Sequence, residues 1–242
     1  MFWGTGESAD VLSNRIASFL LHRVRGREVE IAPTISSSEV LINMAQKGLG
    51  SYLRGLWVKP WLGASRGSFF LGRGCRIINR RLLRMGRNVY IGSYGYLDCL
   101  SVSGVDIGDC VTIREGCWLQ LTSHYDNPGA GITIGNNVYI GPRAILGAAA
   151  QLTIGDRCQL GANVSLIAEN HEFSGGGDIY SQGVVRKGIT VGRDVWMGNN
   201  VIVLDGVTVG EGSVIGAGTV LTKSVPERSV VVGVPGRVIR SR

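Results

Sequence analysis

Histidine is the side chain best suited to move a proton near neutral pH, and this chain carries three, His22, His124 and His171. An imidazole with an unperturbed pKa of about 6.5 can take a proton from an attacking hydroxyl. His171 is the strongest candidate. It stands beside Asn170, the one residue that breaks a regular interior pattern, and it opens the longest insertion in that pattern, residues 172–188. Rules broken locally mark functional sites. Glu169 and Glu172 flank it as carboxylates that either orient the imidazole or face solvent, and their spacing does not choose between the two. His124 occupies the same place two repeat units earlier. At a strand spacing of about 4.8 Å that is roughly 10 Å away, too far to share a proton, and it suits an acceptor-site or loop position. Gly175, Gly176 and Gly177 lack a following Lys-Ser/Thr and a strand-to-helix setting, so they form a loop hinge and not a phosphate-binding loop.

The pattern that must position these residues has a period of six. From Met85 onward, with insertions set aside, 18 hexads run to 221–226, and every first place holds an aliphatic residue or Met. The fifth place is small or β-branched except at Asn170. Three hexads make one unit, opened by phrases such as Ile132-Thr133-Ile134-Gly135 and Ile189-Thr190-Val191-Gly192. That beat predicts coils of three short strands, with apolar side chains stacked along an axis: an all-β solenoid. Glycine holds the second place in all six first hexads, five of six second hexads and one of six third hexads, and is expected there to supply φ > 0 at the corners. Extra residues enter after Val102, His124, Gln151 and His171, always at the end of a third hexad. They should leave one edge of the prism as a wall beside a flat sheet.

Composition agrees. The 242 residues are 44% hydrophobic, enough for a sizeable core, and the 37 glycines exceed ordinary usage while 6 prolines do not suggest disorder. No apolar run reaches spanning length, and Glu7, Asp10 and Asn14 interrupt any leader-like stretch, which argues against a spanning or secreted protein. Cys75, Cys99, Cys110, Cys117 and Cys158 contain no C-x-x-C pair and leave one over, so they are expected as reduced, packed thiols in the cytoplasm, without a metal site. The net charge of +7 divides into 13 Lys/Arg against 5 Asp/Glu over residues 1–84 and 12 against 13 over 85–242. Residues 8–25 place Val11, Leu12, Ile16, Phe19, Leu20 and Val24 at helical spacing, and 39–57 repeat the signal more weakly. This basic, partly helical segment has two readings: a cap on the open end of the solenoid, or a surface for anionic lipid or glycan carried by Trp57, Trp61, Phe69 and Phe70. No groove-reading or RNA-binding motif accompanies it, so nucleic acid is discounted.

Residues 189–240, ITVGRDVWMGNNVIVLDGVTVGEGSVIGAGTVLTKSVPERSVVVGVPGRVIR, resemble the closing segment of the hexapeptide-repeat acyltransferases. The branch is that of maltose, galactoside and nodulation acetyltransferases and surface-polysaccharide O-acetyltransferases. The resemblance implies a left-handed parallel β-helix over residues 71–226 with its insertion at 172–188, preceded by an N-terminal segment (1–70) and followed by a tail (227–242). It implies acetyl-CoA as acyl donor without a metal, and His171 as general base, in a phrase before a long loop that matches the family's catalytic histidine. Trp196 would flank the thioester or acceptor, Gly198, Asn199 and Ala217 would line the pantetheine arm, and Thr222, Lys223, Arg237 and Arg240 would meet the nucleotide phosphates. Asn170, Glu172 and His124 fall on the acceptor side. It also implies a homotrimer with each site between two subunits.

Galactoside-type members carry acidic and amide residues in the coils before the histidine, where this chain has Gly147-Ala148-Ala149-Ala150. A hydroxyl on a surface-polysaccharide sugar or its precursor is therefore the expected acceptor, with transfer in the cytoplasm or at the inner face of the membrane. An N-acetyltransferase of an amino sugar and a non-catalytic glycan-binding solenoid remain the alternatives. A metal-dependent carbonic anhydrase on this type of fold needs three histidine ligands, and His124 and His171 are 47 residues apart.

Overall fold

The computed structural model describes residues 36–122 and 125–242, together with Arg15, Ile16 and Ser18. Short parallel strands stack into three sheets of seven, nine and seven strands, with a separate two-stranded pair. The chain visits the three sheets in turn on each coil, an all-β solenoid of the left-handed parallel β-helix type.

Hexad first places form three unbroken columns. In the first sheet Met85, Ile107, Ile134, Ile154, Val191 and Val209 are paired residue to residue. Ile91 to Ile215 make the second column and Leu97 to Leu221 the third. All 18 first-place side chains are at most 3% exposed, so the six-residue beat is the core. Burying a Val, Leu or Ile side chain stabilises by about 1.5–3 kcal/mol, and here each such residue touches its counterpart above and below.

The second-place glycines do not take φ > 0, contrary to the expectation from composition. Positive φ falls at the fourth place of every first and second hexad, on residues such as Asn88, Tyr94, Arg143 and Asn200. The glycines serve clearance instead. A Cβ at Gly92 would sit 2.5 Å from the backbone nitrogen of Glu115, and one at Gly141 would sit 2.4 Å from the backbone carbon of Gly161. Third-hexad corners are roomier: a Cβ at Gly147 meets nothing closer than the Ile167 Cδ1 atom at 3.4 Å, which is why those hexads do without glycine. One corner is also tied by side chains, since Asp109, Asn136 and Asp156 each accept a hydrogen bond from the amide one coil earlier, at 2.8, 2.8 and 2.6 Å.

All five cysteines are free thiols. Desolvation pushes Cys99 and Cys117 up to about 12 and Cys158 up to about 11. A thiolate is the reactive form. A disulfide reagent at pH 8 is therefore expected to leave these three unmodified in the folded protein and to label them after unfolding; rapid native labelling of Cys117 would contradict its burial.

At the N-terminal end, helix Ser37–Met44, a π-helical turn Ala45–Leu49, helix Gly50–Val58 and a 3-10 turn Lys59–Trp61 follow one another, where the sequence predicts a helical segment over 39–57. Strands Ala64–Ser65 and Phe69–Leu71 then begin the parallel ladder. The helix predicted over 8–25 lies outside the described residues apart from Arg15, Ile16 and Ser18. At the other end, Ser229–Val232 extends the second sheet in parallel and Arg237–Ser241 closes it antiparallel. No described helix is long and apolar enough to cross a membrane.

Candidate functional site

The insertions stand together on the edge between the third and first sheets. Val102 and Ser103 donate amide hydrogen bonds to the carbonyls of Gly129 and Ala130, and Ala130 donates to Ala149, so neighbouring insertions are laced edge to edge. His124 lies outside the described residues.

Asn170 and His171 leave the solenoid as an exposed strand paired antiparallel with Val184 and Val185, the stem of the 172–188 insertion. Exposure of Asn170 explains the break in the fifth-place pattern: the chain has already left the core. Inside the insertion the Gly175 amide donates to the Gln182 Oε1 atom at 2.9 Å, and Gln182 Nε2 donates to the Gly177 carbonyl at 3.0 Å. These bonds fold the glycine hinge against the short helix Ile179–Gln182. Its return is pinned by Asp205 on the next coil, whose carboxylate accepts from the amides of Lys187 and Gly188 at 2.7–3.0 Å.

Of the two flanking carboxylates, Glu169 receives the Arg186 guanidinium at 2.7 Å, and Arg186 also donates to the Asn127 Oδ1 atom at 2.7 Å. Glu172 accepts from the hydroxyl and amide of Ser174, which hold its carboxyl below the usual range. Among the described residues neither bonds the imidazole. Arg186 and Asn127, absent from the sequence reading, clamp the two longest insertions together. Only the presence of each in an insertion hinted at this.

The residues proposed for a coenzyme track fall in three places. Trp196 is exposed on the outer face of the second sheet, in a cross-strand row with Val214, Val230 and Arg240. Three strand spacings separate Trp196 from Arg240, about 14 Å. Gly198, Asn199 and Ala217 meet at the edge between the second and third sheets, where the Gly218 amide donates to the Asn199 carbonyl at 2.9 Å and a Cβ on Gly198 would lie 2.6 Å from the Ala217 nitrogen. The Asn199 side chain is occupied, accepting from the Ala162 amide at 2.8 Å. Thr222 and Lys223 follow the last third-sheet strand, on the same edge as His171 and two coils further on. Arg237 and Arg240 bond only the carbonyls of Gly236 and Ser241, and Lys223 has no ion pair among the described residues, whereas Arg242 is held by Asp194 at 3.1 Å. Three cations are thus left open to anionic ligand oxygens. His171 and Trp196 are not brought together: the edge carrying His171 lies across the prism from the second sheet. No group of metal-ligating side chains occurs among the described residues.

Comparison with known proteins places this geometry in context. The bacterial transferase hexapeptide (six repeats) pattern matches residues 188–223, and the hexapeptide repeat of succinyl-transferase matches 131–168. Galactoside O-acetyltransferase of Escherichia coli (strain K12) is 37% identical over 133 residues, which are 53% of this chain and 63% of that protein, so the match spans less than two thirds of the relative. Among solved structures, a variant of AntD, an N-acyltransferase from Bacillus cereus, in complex with dTDP-4-amino-4,6-dideoxyglucose and coenzyme A aligns with a TM-score of 0.53 at 19% identity, covering 78% of this chain and 88% of that one. AntD with dTDP and 3-hydroxybutyryl-CoA aligns with a TM-score of 0.52 at 20% identity, covering 74% and 82%. At that identity the likeness is one of fold.

Proposed function

We propose that this chain, in which hexapeptide-repeat transferase patterns match residues 131–168 and 188–223, is an acetyl-CoA-dependent O-acetyltransferase acting on a sugar hydroxyl, in the assembly of a surface polysaccharide. The observation that carries this reading is His171, held on an exposed stem at a braced edge, with the open cation Lys223 on the same edge. In the reaction His171 takes the proton of the acceptor hydroxyl as its oxygen attacks the thioester carbonyl. The new C–O bond forms, the C–S bond breaks, and the proton passes to the departing thiolate. Lys223, Arg237 and Arg240 would hold the phosphates by charge-assisted hydrogen bonds, and Gly198 and Ala217 would leave the narrow passage that the pantetheine arm needs.

The separation of His171 from Trp196 within one chain supports a site built between subunits, as in a homotrimer, with the imidazole from one protomer facing the Trp196 row of the next. The acceptor residues on this reading are Asn170, Glu172 and His124, and transfer takes place in the cytoplasm. Incubation with acetyl-CoA and candidate glycans, followed by release of free thiol, tests the activity; a scaffold releases none with any acceptor. Lability of the product to mild alkali separates an ester from an amide. Lys223→Ala or Arg240→Ala is expected to raise the coenzyme A dissociation constant by roughly 10- to 150-fold, in line with about 1.5–3 kcal/mol for a hydrogen bond to a charged group. Unchanged affinity in both variants would count against the track.

A further inference from the structure

The helix Gly50–Val58 is packed in the opposite sense to an ordinary surface helix. Its buried side is small: Ser51 and Gly55 sit with Val58 against the strand Phe69–Leu71, and a Cβ on Gly55 would lie 1.9 Å from the Phe69 carbonyl oxygen. Its large apolar residues face outward instead. Leu49, Leu53, Leu56 and Trp57 are 44–74% exposed, and Ile42 on the preceding helix and Trp61 on the following 3-10 turn are exposed at 54% each. Intervals of four and three or four residues put Leu49, Leu53, Leu56 and Trp57 on one helical stripe. Scattered exposed apolar residues need no partner, but a contiguous stripe marks a surface that is covered in use.

Charge decides what covers it. Residues 36–84 hold nine Lys/Arg against one acidic residue, Glu39. Arg73, Arg76 and Arg81 carry no ion pair among the described residues, and Arg80 uses its Nε on the Ile77 carbonyl. Trp61 borders an open cavity of about 420 Å³ with Asn79, Arg80, Arg81 and Leu82, so an aromatic residue and two arginines share one concavity. A second copy docked on this face would set like charges against each other, which disfavours self-association.

We propose that this face docks on an anionic lipid bilayer, with the Leu–Trp stripe entering the boundary between headgroups and acyl chains and the arginines meeting lipid phosphates. A polar and strongly basic flank beside exposed Trp and Leu is what interfacial helices use, and each basic residue near a negatively charged leaflet adds to the attraction. The inference is independent of acetyl transfer. Flotation of the full chain with phosphatidylcholine vesicles, with and without about 30 mol% phosphatidylglycerol, tests it. Binding to the anionic vesicles is expected to exceed that to neutral ones by at least roughly tenfold and to fall with added salt. Leu53→Ser with Trp57→Ser, at exposed positions, should abolish flotation while leaving the thermal midpoint and thiol release with a water-soluble acceptor unchanged. Arg80→Ala with Arg81→Ala should weaken flotation about tenfold or more. On the unaltered protein, a blue shift of tryptophan fluorescence on adding anionic vesicles supplies a second readout. Absence of flotation and of the blue shift overturns the proposal, as does self-association through the stripe in its place. Equal binding to neutral vesicles overturns the role of the arginines.

Discussion

His171→Ala is expected to lower kcat for acetyl transfer by about 10²–10⁴-fold while coenzyme A still binds, because a positioned general base contributes that much to proton transfer from an attacking hydroxyl. The side chain is exposed on a short antiparallel stem and supports no buried contact, so the variant should fold with an unchanged thermal midpoint. That separation matters, since loss of activity through unfolding would say nothing about chemistry. Initial rates of thiol release, measured beside the coenzyme dissociation constant, give the answer. Full turnover in the variant would falsify the assignment of the base. Loss of affinity with unchanged kcat would instead make His171 a binding residue.

The second large effect concerns the fold. Gly141→Ala places a methyl group 2.4 Å from the backbone of the next coil at Gly161, and that backbone is fixed on both sides by the parallel ladder. Overpacking in a close-packed interior commonly destabilises by about 1–3 kcal/mol, and a clash with backbone, which cannot swing aside, belongs at or above the upper end. Gly147→Ala is the control. Its Cβ would meet nothing closer than the flexible end of Ile167 at 3.4 Å, and φ there is not positive, so the change should be near neutral or stabilising by about 0.5 kcal/mol. Urea unfolding of both variants decides the matter; equal losses would show that corner glycines are not clearance devices.

The three apolar columns could be foreseen because a side chain in first place has one fate whatever the loops do, and a fixed period survives translation into geometry. The purpose of the corner glycines could not. The backbone that excludes a Cβ at Gly141 lies 20 residues onward, and positive φ falls on Tyr94, Arg143 and Arg157, whose types do not announce it. At the site, His171 stood out through its neighbour Asn170. The bracing of its loop did not, because Arg186 and Asn127 are 59 residues apart and only the lacing of insertions brings them within 2.7 Å. Likewise, helical spacing in the N-terminal segment reported a stripe without reporting which side docks. Gly55 decides that by being small enough to reach the Phe69 backbone, and smallness leaves no mark in a hydrophobic pattern.

The uniform stacking of the solenoid makes it a ruler. Four steps of the second sheet separate the strand that receives the helical cap, Phe69–Leu71, from the level of Gln159–Leu160, just beneath the departing imidazole. At about 4.8 Å a step, that is a standoff of about 19 Å, set by the number of rungs and not by any flexible tether. Deleting one rung would bring His171 a fixed notch closer to whatever the lower end rests on and leave both ends intact, so the height of that edge above the cap becomes a quantity this architecture can alter in whole-number increments.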